Sequence, residues 1–365
     1  MANPNFYFYC TTDPNFRFPQ VWKSSLGYDH KFANGWIATV DVLFNKDINA
    51  MLVRNYGLKT PTGRLQGTDT RSIYATGDRA TNAFGGQTDA YVFTNTSLGY
   101  SFNTSVQLQR TFQNGFYVSG AYNYLNAKDA SSLSAEISSD AFERNPAYGN
   151  ENQAVLGYSS YGNRHRFVGS VSKRFVYGAG RRWATTLSAV AEYAQGGRFS
   201  FTYSGDINND GAADNDQLYI PTSGELGQMK FAGTDADQTA QRAGFEAYIQ
   251  QDKYLSTHRG QVAEKFASLS PWYSTVDLRV LQDYTLKNRH TIQLSVDILN
   301  AGNLLNSSWG VRQFASYTGL AQPLCVSVAS NVPTYSFDVN QKSTFFNDSQ
   351  LTSRWRMQFG ARYSF

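Results

Sequence analysis

The densest run of metal-ligating side chains is Asp206, Asn208, Asp210, Asp214 and Asp216, with Gly211 after the third of them. Oxygen ligands at the first, third and fifth positions of a D-x-N-x-D-G pattern, then a glycine that permits a sharp turn, make the first half of a calcium loop. Asp214 falls at the ninth position. Gln217 stands at the twelfth, where a helix-loop-helix calcium site needs a bidentate glutamate, and no amphipathic helices flank the segment. Two readings stay open. In one, Asp206, Asn208, Asp210 and Asp214 hold Ca2+ and organise a loop. In the other, the same oxygens serve backbone amides of an Asx-rich turn.

The remaining reactive side chains are sparse. His30, His165, His258 and His290 are scattered without the H-x-x-x-H spacing of a metal site, which favours interface or loop positions over metal ligation. A Ser–His hydrolase would have to use His165 or His290, but no G-x-S-x-G motif accompanies either, so no enzyme is expected. Cys10 and Cys325 leave one disulfide or two free thiols open. Arg166, Arg174, Arg354, Arg356 and Arg362 share one face of their segments. They either guide an anionic solute or, more in keeping with interior charges, pair with carboxylates. Tyr148, Tyr158, Tyr161, Trp309 and Tyr317 fall in polar stretches and suit peptide or sugar recognition as well as loop packing.

The elements that position these residues are strands. From Trp355 to Phe365 the odd positions are Trp, Met, Phe, Ala, Tyr and Phe, while the even ones include Arg356, Gln358, Gly360, Arg362 and Ser364. Successive strand side chains point to opposite faces, so one face is apolar and the other cationic. A membrane barrel strand needs this division, with lipid on one side and lumen on the other. The same alternation predicts strands over Val21–Phe32, Trp36–Phe44, Leu98–Phe112, Phe116–Tyr124, Phe167–Tyr177, from Trp183 towards Tyr203, Val276–Tyr284 and Ile292–Ile298, about nine in all with the last. Asn34-Gly35, Asn114-Gly115, Gly178 to Arg181 and Lys287 to Arg289 read as tight turns. Between the hairpins lie long polar stretches near residues 46–92, 127–160, 204–270 and 301–352. Asp235–Leu255 is rich in helix formers.

Composition agrees. The 365 residues are 15% aromatic, and mean hydropathy is −0.45 with no long apolar run, which excludes membrane helices but not membrane strands. A net charge of +4 is too mild to argue for nucleic acid. The N-terminus carries no signal-peptide pattern. The fold class expected is all-β: a transmembrane antiparallel β-barrel in a Gram-negative outer membrane, with tight turns and the C-terminus periplasmic and long loops extracellular. Single-chain bacterial barrels use an even number of strands, and open edges are not tolerated in hydrocarbon. An odd count therefore implies further strands, with residues 1–365 as the C-terminal part of a larger barrel. A stub near Phe6–Tyr9 could alternatively supply a tenth strand and a small complete barrel.

Three segments carry a family resemblance: Phe199 to Gly211 with Asp216 to Pro221, Phe245 to Gly260, and Val296 to Asn306. Together with the terminal aromatic strand they resemble the C-terminal barrel of TonB-dependent outer-membrane receptors, especially the Oar-like kind with a carboxypeptidase-regulatory-like domain. The resemblance covers most of the chain. It implies a barrel of about 22 strands, closed by a plug that the inner-membrane TonB complex pulls to import solute. Partners implied are outer-membrane lipid, the missing plug and first barrel half, the TonB complex through that plug, and a surface lipoprotein. No plug or TonB box is found in these residues, and no family ligand residue is carried across. The alternative function is a structural or adhesin-like barrel subunit without transport.

Overall fold

The computed structural model describes residues 7–81, 86, 88–132, 135–286 and 290–365. Its strands are β1 (Tyr7–Thr12), β2 (Gln20–Lys31), β3 (Ile37–Asn55), β4 (Thr88–Thr96), β5 (Gly99–Thr111), β6 (Phe116–Asp129), β7 (His165–Tyr177), β8 (Trp183–Ala194), β9 (Arg198–Ser204), β10 (Tyr273–Thr285), β11 (Thr291–Leu299), β12 (Leu320–Ala329), β13 (Val332–Phe337) and β14 (Arg356–Ser364). Two-residue bridging strands occur beside them among the described residues.

Nine strands form one antiparallel wall in the order β2-β3-β5-β6-β7-β8-β10-β11-β14. These are the nine that alternation predicts. Register keeps like faces together across the wall: Leu187 pairs with Val280, Val280 with Val296, and Val296 with Phe359. This apolar face is exposed, as a lipid-facing surface must be. The opposite face carries Arg166 beside Glu192, Arg174 beside Asp283, and Arg279 beside Asp297.

The tight turns gather at one end. Phe32 to Trp36 and Phe112 to Phe116 repeat one design: Phe donates its amide to the closing aromatic's carbonyl (2.8 Å in both), and Gly35 and Gly115 take φ of 86° and 77°. Only glycine adopts that conformation without strain, which sets both hairpin registers. Gly178 and Gly180 form a third turn. The expected turn Lys287–Arg289 lies outside the described residues.

The wall does not close. Among the described residues β2 pairs only with β3, and β14 only with β11. The N-terminal stub supplies no tenth wall strand: β1 pairs in parallel with β4, which continues β5 above the wall in a single register along β3.

The hydrophobic core lies outside the wall. The long stretches fold into a cap whose core includes Phe199, Phe201, Tyr203, Phe231, Phe245, Tyr248, Leu324 and Tyr335. Burying such a side chain contributes roughly 1.5–3 kcal/mol, enough in sum to hold these segments as a folded body. β9 and β12 run parallel at the centre of a small cap sheet, and β13 flanks β12. The expectation that the Trp183 strand continues towards Tyr203 therefore fails. The chain leaves the wall at Gln195, Gly196 and Gly197 and re-enters structure as β9, buried on both faces. β3 is correspondingly longer than its alternation implies, because its last residues, Leu52 to Asn55, enter the cap and are covered on both faces.

Among the described residues five helices belong to the cap: α1 (Ser138–Glu143), α2 (Ser223–Gln228), α3 (Asp235–Gln251), α4 (Lys253–Thr257) and α5 (Ala301–Leu305). α3 fulfils the helix expected over Asp235–Leu255. Thr234 and Asp237 form a reciprocal capping box, and Phe245, Tyr248 and Ile249 turn one stripe onto the core. Replacing Thr234 with Ala is expected to cost about 1 kcal/mol. Amide exchange should speed up in the first turn of α3 and stay unchanged at its C-terminal end.

Candidate functional site

The cap is joined at Arg71. This guanidinium is buried, lies 2.7 Å from Asp69 and 3.0 Å from Asp216, and donates to the Gln217 carbonyl. Tyr148 and Tyr203 flank it, their ring centroids 4.9 and 5.1 Å away. One side chain thus ties together the segments around residues 70, 148 and 216. The two carboxylates hold it cationic against the cost of burial. Nothing in the sequence marks this role, since Asp216 lies 145 positions away.

Beside it sits the Asp206–Asp216 loop. Asp206 Oδ1 and Oδ2 accept the amides of Asp210 (3.2 Å) and Gly211 (2.8 Å). Asn208 Oδ1 accepts the Asp210 amide at 3.0 Å, and Asp210 Oδ1 accepts that of Ala212 at 2.7 Å. Gly211, at φ 93°, has the Arg79 guanidinium against its Cα, where a Cβ would collide with it. Asp206, Asn208 and Asp210 are therefore brought together. Asp214 is not with them: its carboxylate accepts the Gly205 amide at 2.9 Å, and the residue lines a separate cleft.

A fourth group reaches this loop from elsewhere. Glu151 Oε1 accepts from Asn208 Nδ2 at 2.6 Å, and its carboxyl meets that of Asp210. Burial pushes Glu151 up to about 7. Burial first, then the charge of Glu151, holds Asp210 well above the usual carboxylate range. Glu151 carries no motif and is separated from Asn208 by 57 positions, so sequence reading misses it. Among the described residues no group of three or more His, Cys, Asp or Glu side chains forms a metal cluster.

The cleft lined by Asp214 has a volume of about 340 Å³. Asp140, Glu143, Arg144, Phe266 and Gln322 share its lining. Arg144 pairs with Asp140 at 2.8 Å, and Tyr91 donates to Glu143 at 2.9 Å. The carboxylates outnumber the cation, so the lining suits a polar, hydroxyl-bearing or cationic solute.

Other anticipated residues take packing roles. His30, His165, His258 and His290 each lie against an aromatic ring. Arg166 and Arg174 are paired, at 2.8 and 2.9 Å, whereas Arg354, Arg356 and Arg362 have no carboxylate within ion-pair distance among the described residues. Tyr158 packs on Arg198, and Tyr317 on Phe346, while Tyr161 and Trp309 are exposed. Cys10 and Cys325 are free thiols.

Solved structures similar to the chain include two outer-membrane proteins. One is the outer membrane transporter YddB from Escherichia coli, at 10% identity and a TM-score of 0.41, covering 79% of this chain and 29% of that one. This chain therefore spans under a third of that transporter's length. The other is the NanC porin, at 10% identity and a TM-score of 0.18, covering 76% of this chain and 81% of that one. No curated protein matches the sequence. Residues 2–320 match the family model described as an outer membrane beta barrel domain. With most of its length in that match and its apolar wall face turned outward, the chain belongs to the outer-membrane β-barrel family and resides in the outer membrane.

Proposed function

We propose that this chain is the C-terminal part of the barrel of a TonB-dependent transporter, importing a solute across the outer membrane at the expense of the proton-motive force. One observation carries the reading: among the described residues the wall is open along both β2 and β14. Unpaired strand-edge amides and carbonyls cost several kcal/mol each in hydrocarbon, so further strands must seal them. The earlier strands and plug of the same protein would do so. In this reading the tight-turn end and the C-terminus are periplasmic, and the cap is extracellular. The cap's polar cleft is where solute first binds, and no chemical transformation is required of it. A rigid cap with exposed Tyr161 and Trp309 also suits an adhesin-like subunit, the second reading.

The test is intact mass together with energised uptake. Protein purified from outer membranes should weigh far more than the 40.7 kDa of this chain. Cells lacking it should fail to deplete at least one component of their medium, and a protonophore should reproduce that failure in wild-type cells. A mass near this chain's own overturns the larger-barrel reading. Unchanged depletion in the deletion strain overturns transport and leaves the adhesin-like role.

A further inference from the structure

On the polar face of the wall, the cations of the inner strands have partners. Arg166 meets Glu192 at 2.8 Å, Arg174 meets Asp283 at 2.9 Å, and Arg279 meets Asp297. The two edge strands differ. On β2, Lys23 lies across from Asn45 and Lys31 across from Ile37, on the face opposite Leu26 and Val42. On β14, Arg356 lies across from Leu299 and Arg362 across from Gln293, on the face opposite Phe359 and Val296. Among the described residues none of these four cations has a carboxylate within ion-pair distance. Asp29, on the same face of β2, accepts from Thr39 Oγ1 at 2.5 Å instead. Each open edge thus presents one unpaired cation near the cap and another near the tight turns, roughly 20–26 Å apart at about 3.3 Å per residue.

We propose that the strands sealing this wall carry inward-facing carboxylates, placed to pair with Lys23 and Lys31 along β2 and with Arg356 and Arg362 along β14. The inference rests on the larger-barrel reading above. The two edges cannot satisfy each other. Both carry cations, and β2 and β14 both run from the cap towards the tight-turn end, so they could not join in the antiparallel sense of the rest of the wall. An unpaired charge is costlier inside a barrel than at a wet surface. Opposite charges on neighbouring strands stabilise a sheet, and like charges directly opposite destabilise it. The pairs already made between β7 and β8 and between β10 and β11 are the pattern that the new neighbours would extend. A small anion could reach only one cation of each edge, whereas a strand runs past both. A plug filling the lumen would meet the inner strands as well, and their cations are already paired. Side chains alternate with period two, so the carboxylates beside each edge must fall an even number of residues apart.

The experiment uses the protein purified from outer membranes in detergent, with a water-soluble carbodiimide as the probe. This reagent joins a lysine amine to a carboxylate in contact with it. Lys23 and Lys31 serve as they stand, and Arg356→Lys and Arg362→Lys bring an amine to the other edge with the charge kept. Peptide mass spectrometry should find each lysine joined to an aspartate or glutamate of the same polypeptide outside residues 1–365, in segments that alternate polar and apolar residues. Replacing Arg356 and Arg362 together with Glu should lower the unfolding midpoint about 3 °C further than replacing both with Gln, because like charges would then face each other. Should the arginine variants fail to fold, the two native lysines decide. Cross-links to Asp29 or Asp41 alone, or none at all, overturn the proposal, as does a Glu pair no less stable than the Gln pair. Cross-links into a segment without alternation, or into another polypeptide, overturn the assignment to closing strands. Intact mass separates this proposal from the reading beneath it. A mass near 40.7 kDa sinks both, whereas a larger mass without cross-links sinks only the acidic closing strands.

Discussion

Replacing Arg71 with Met should lower the stability of the cap by roughly 3–5 kcal/mol. The substitution keeps most of the side-chain volume, so packing between Tyr148 and Tyr203 survives. What is lost is the only positive charge that contacts Asp69 and Asp216 among the described residues, both of which are buried beneath the cap surface. A buried ion pair need not be a large net gain over an apolar alternative, but removing one partner strands the other without solvent. The result should appear in chemical unfolding as a shift of the cap transition. Adding Asp69→Asn and Asp216→Asn to Arg71→Met should recover much of the loss, because the stranded charges are then gone. If Arg71→Met unfolds at the parent's denaturant concentration, the guanidinium is not what joins these segments.

The wall gives the second large effect. Val296 lies mid-strand on β11, between Val280 and Phe359 on the apolar face. An arginine there must enter hydrocarbon, and the cost at the bilayer midplane is roughly 2–4 kcal/mol. One pair along, Gln358 on the opposite face sits across from Asp297. Gln358→Arg should be tolerated, since it meets water and a carboxylate. Folding into lipid vesicles, read by heat-modifiable migration, should separate the two variants. Equal folding of both would mean that the apolar face is not turned to lipid.

Much of the wall is legible because lipid imposes a simple rule. Each strand has a wet face and an oily one, so Trp355 to Phe365 or Phe167 to Tyr177 declare both their strand and their orientation. The Asn-Gly turns declare register for a similarly local reason: only certain residues tolerate positive φ. The cap strands obey neither rule. β9 is buried on both faces, so Arg198 to Ser204 shows no alternation that distinguishes it from a continuing wall strand. β4 is read as loop for the same reason, with polar residues such as Asp89 and Thr94 buried inside hydrogen bonds. α3 is the exception, since its capping box and helix formers lie within a few residues of one another.

The candidate site divides along the same line. Asp206, Asn208 and Asp210 stand within one turn of chain, and their spacing alone is enough to bring them together. Asp214 shares that spacing, yet its backbone, at φ 76°, turns its carboxylate away to the Gly205 amide. Glu151 and Arg71 come from remote segments and join the loop only through the folded cap. By itself, then, the sequence determined the number of wall strands, their apolar face and the tight-turn end, because each depends on side chains within two or three positions of one another. Only the tertiary structure decided that the long stretches form a packed cap, that both wall edges are open among the described residues, and that Arg71 and Glu151 meet the acidic loop. Those outcomes depend on contacts between residues far apart in the chain, where burial and charge pairing leave no periodic mark.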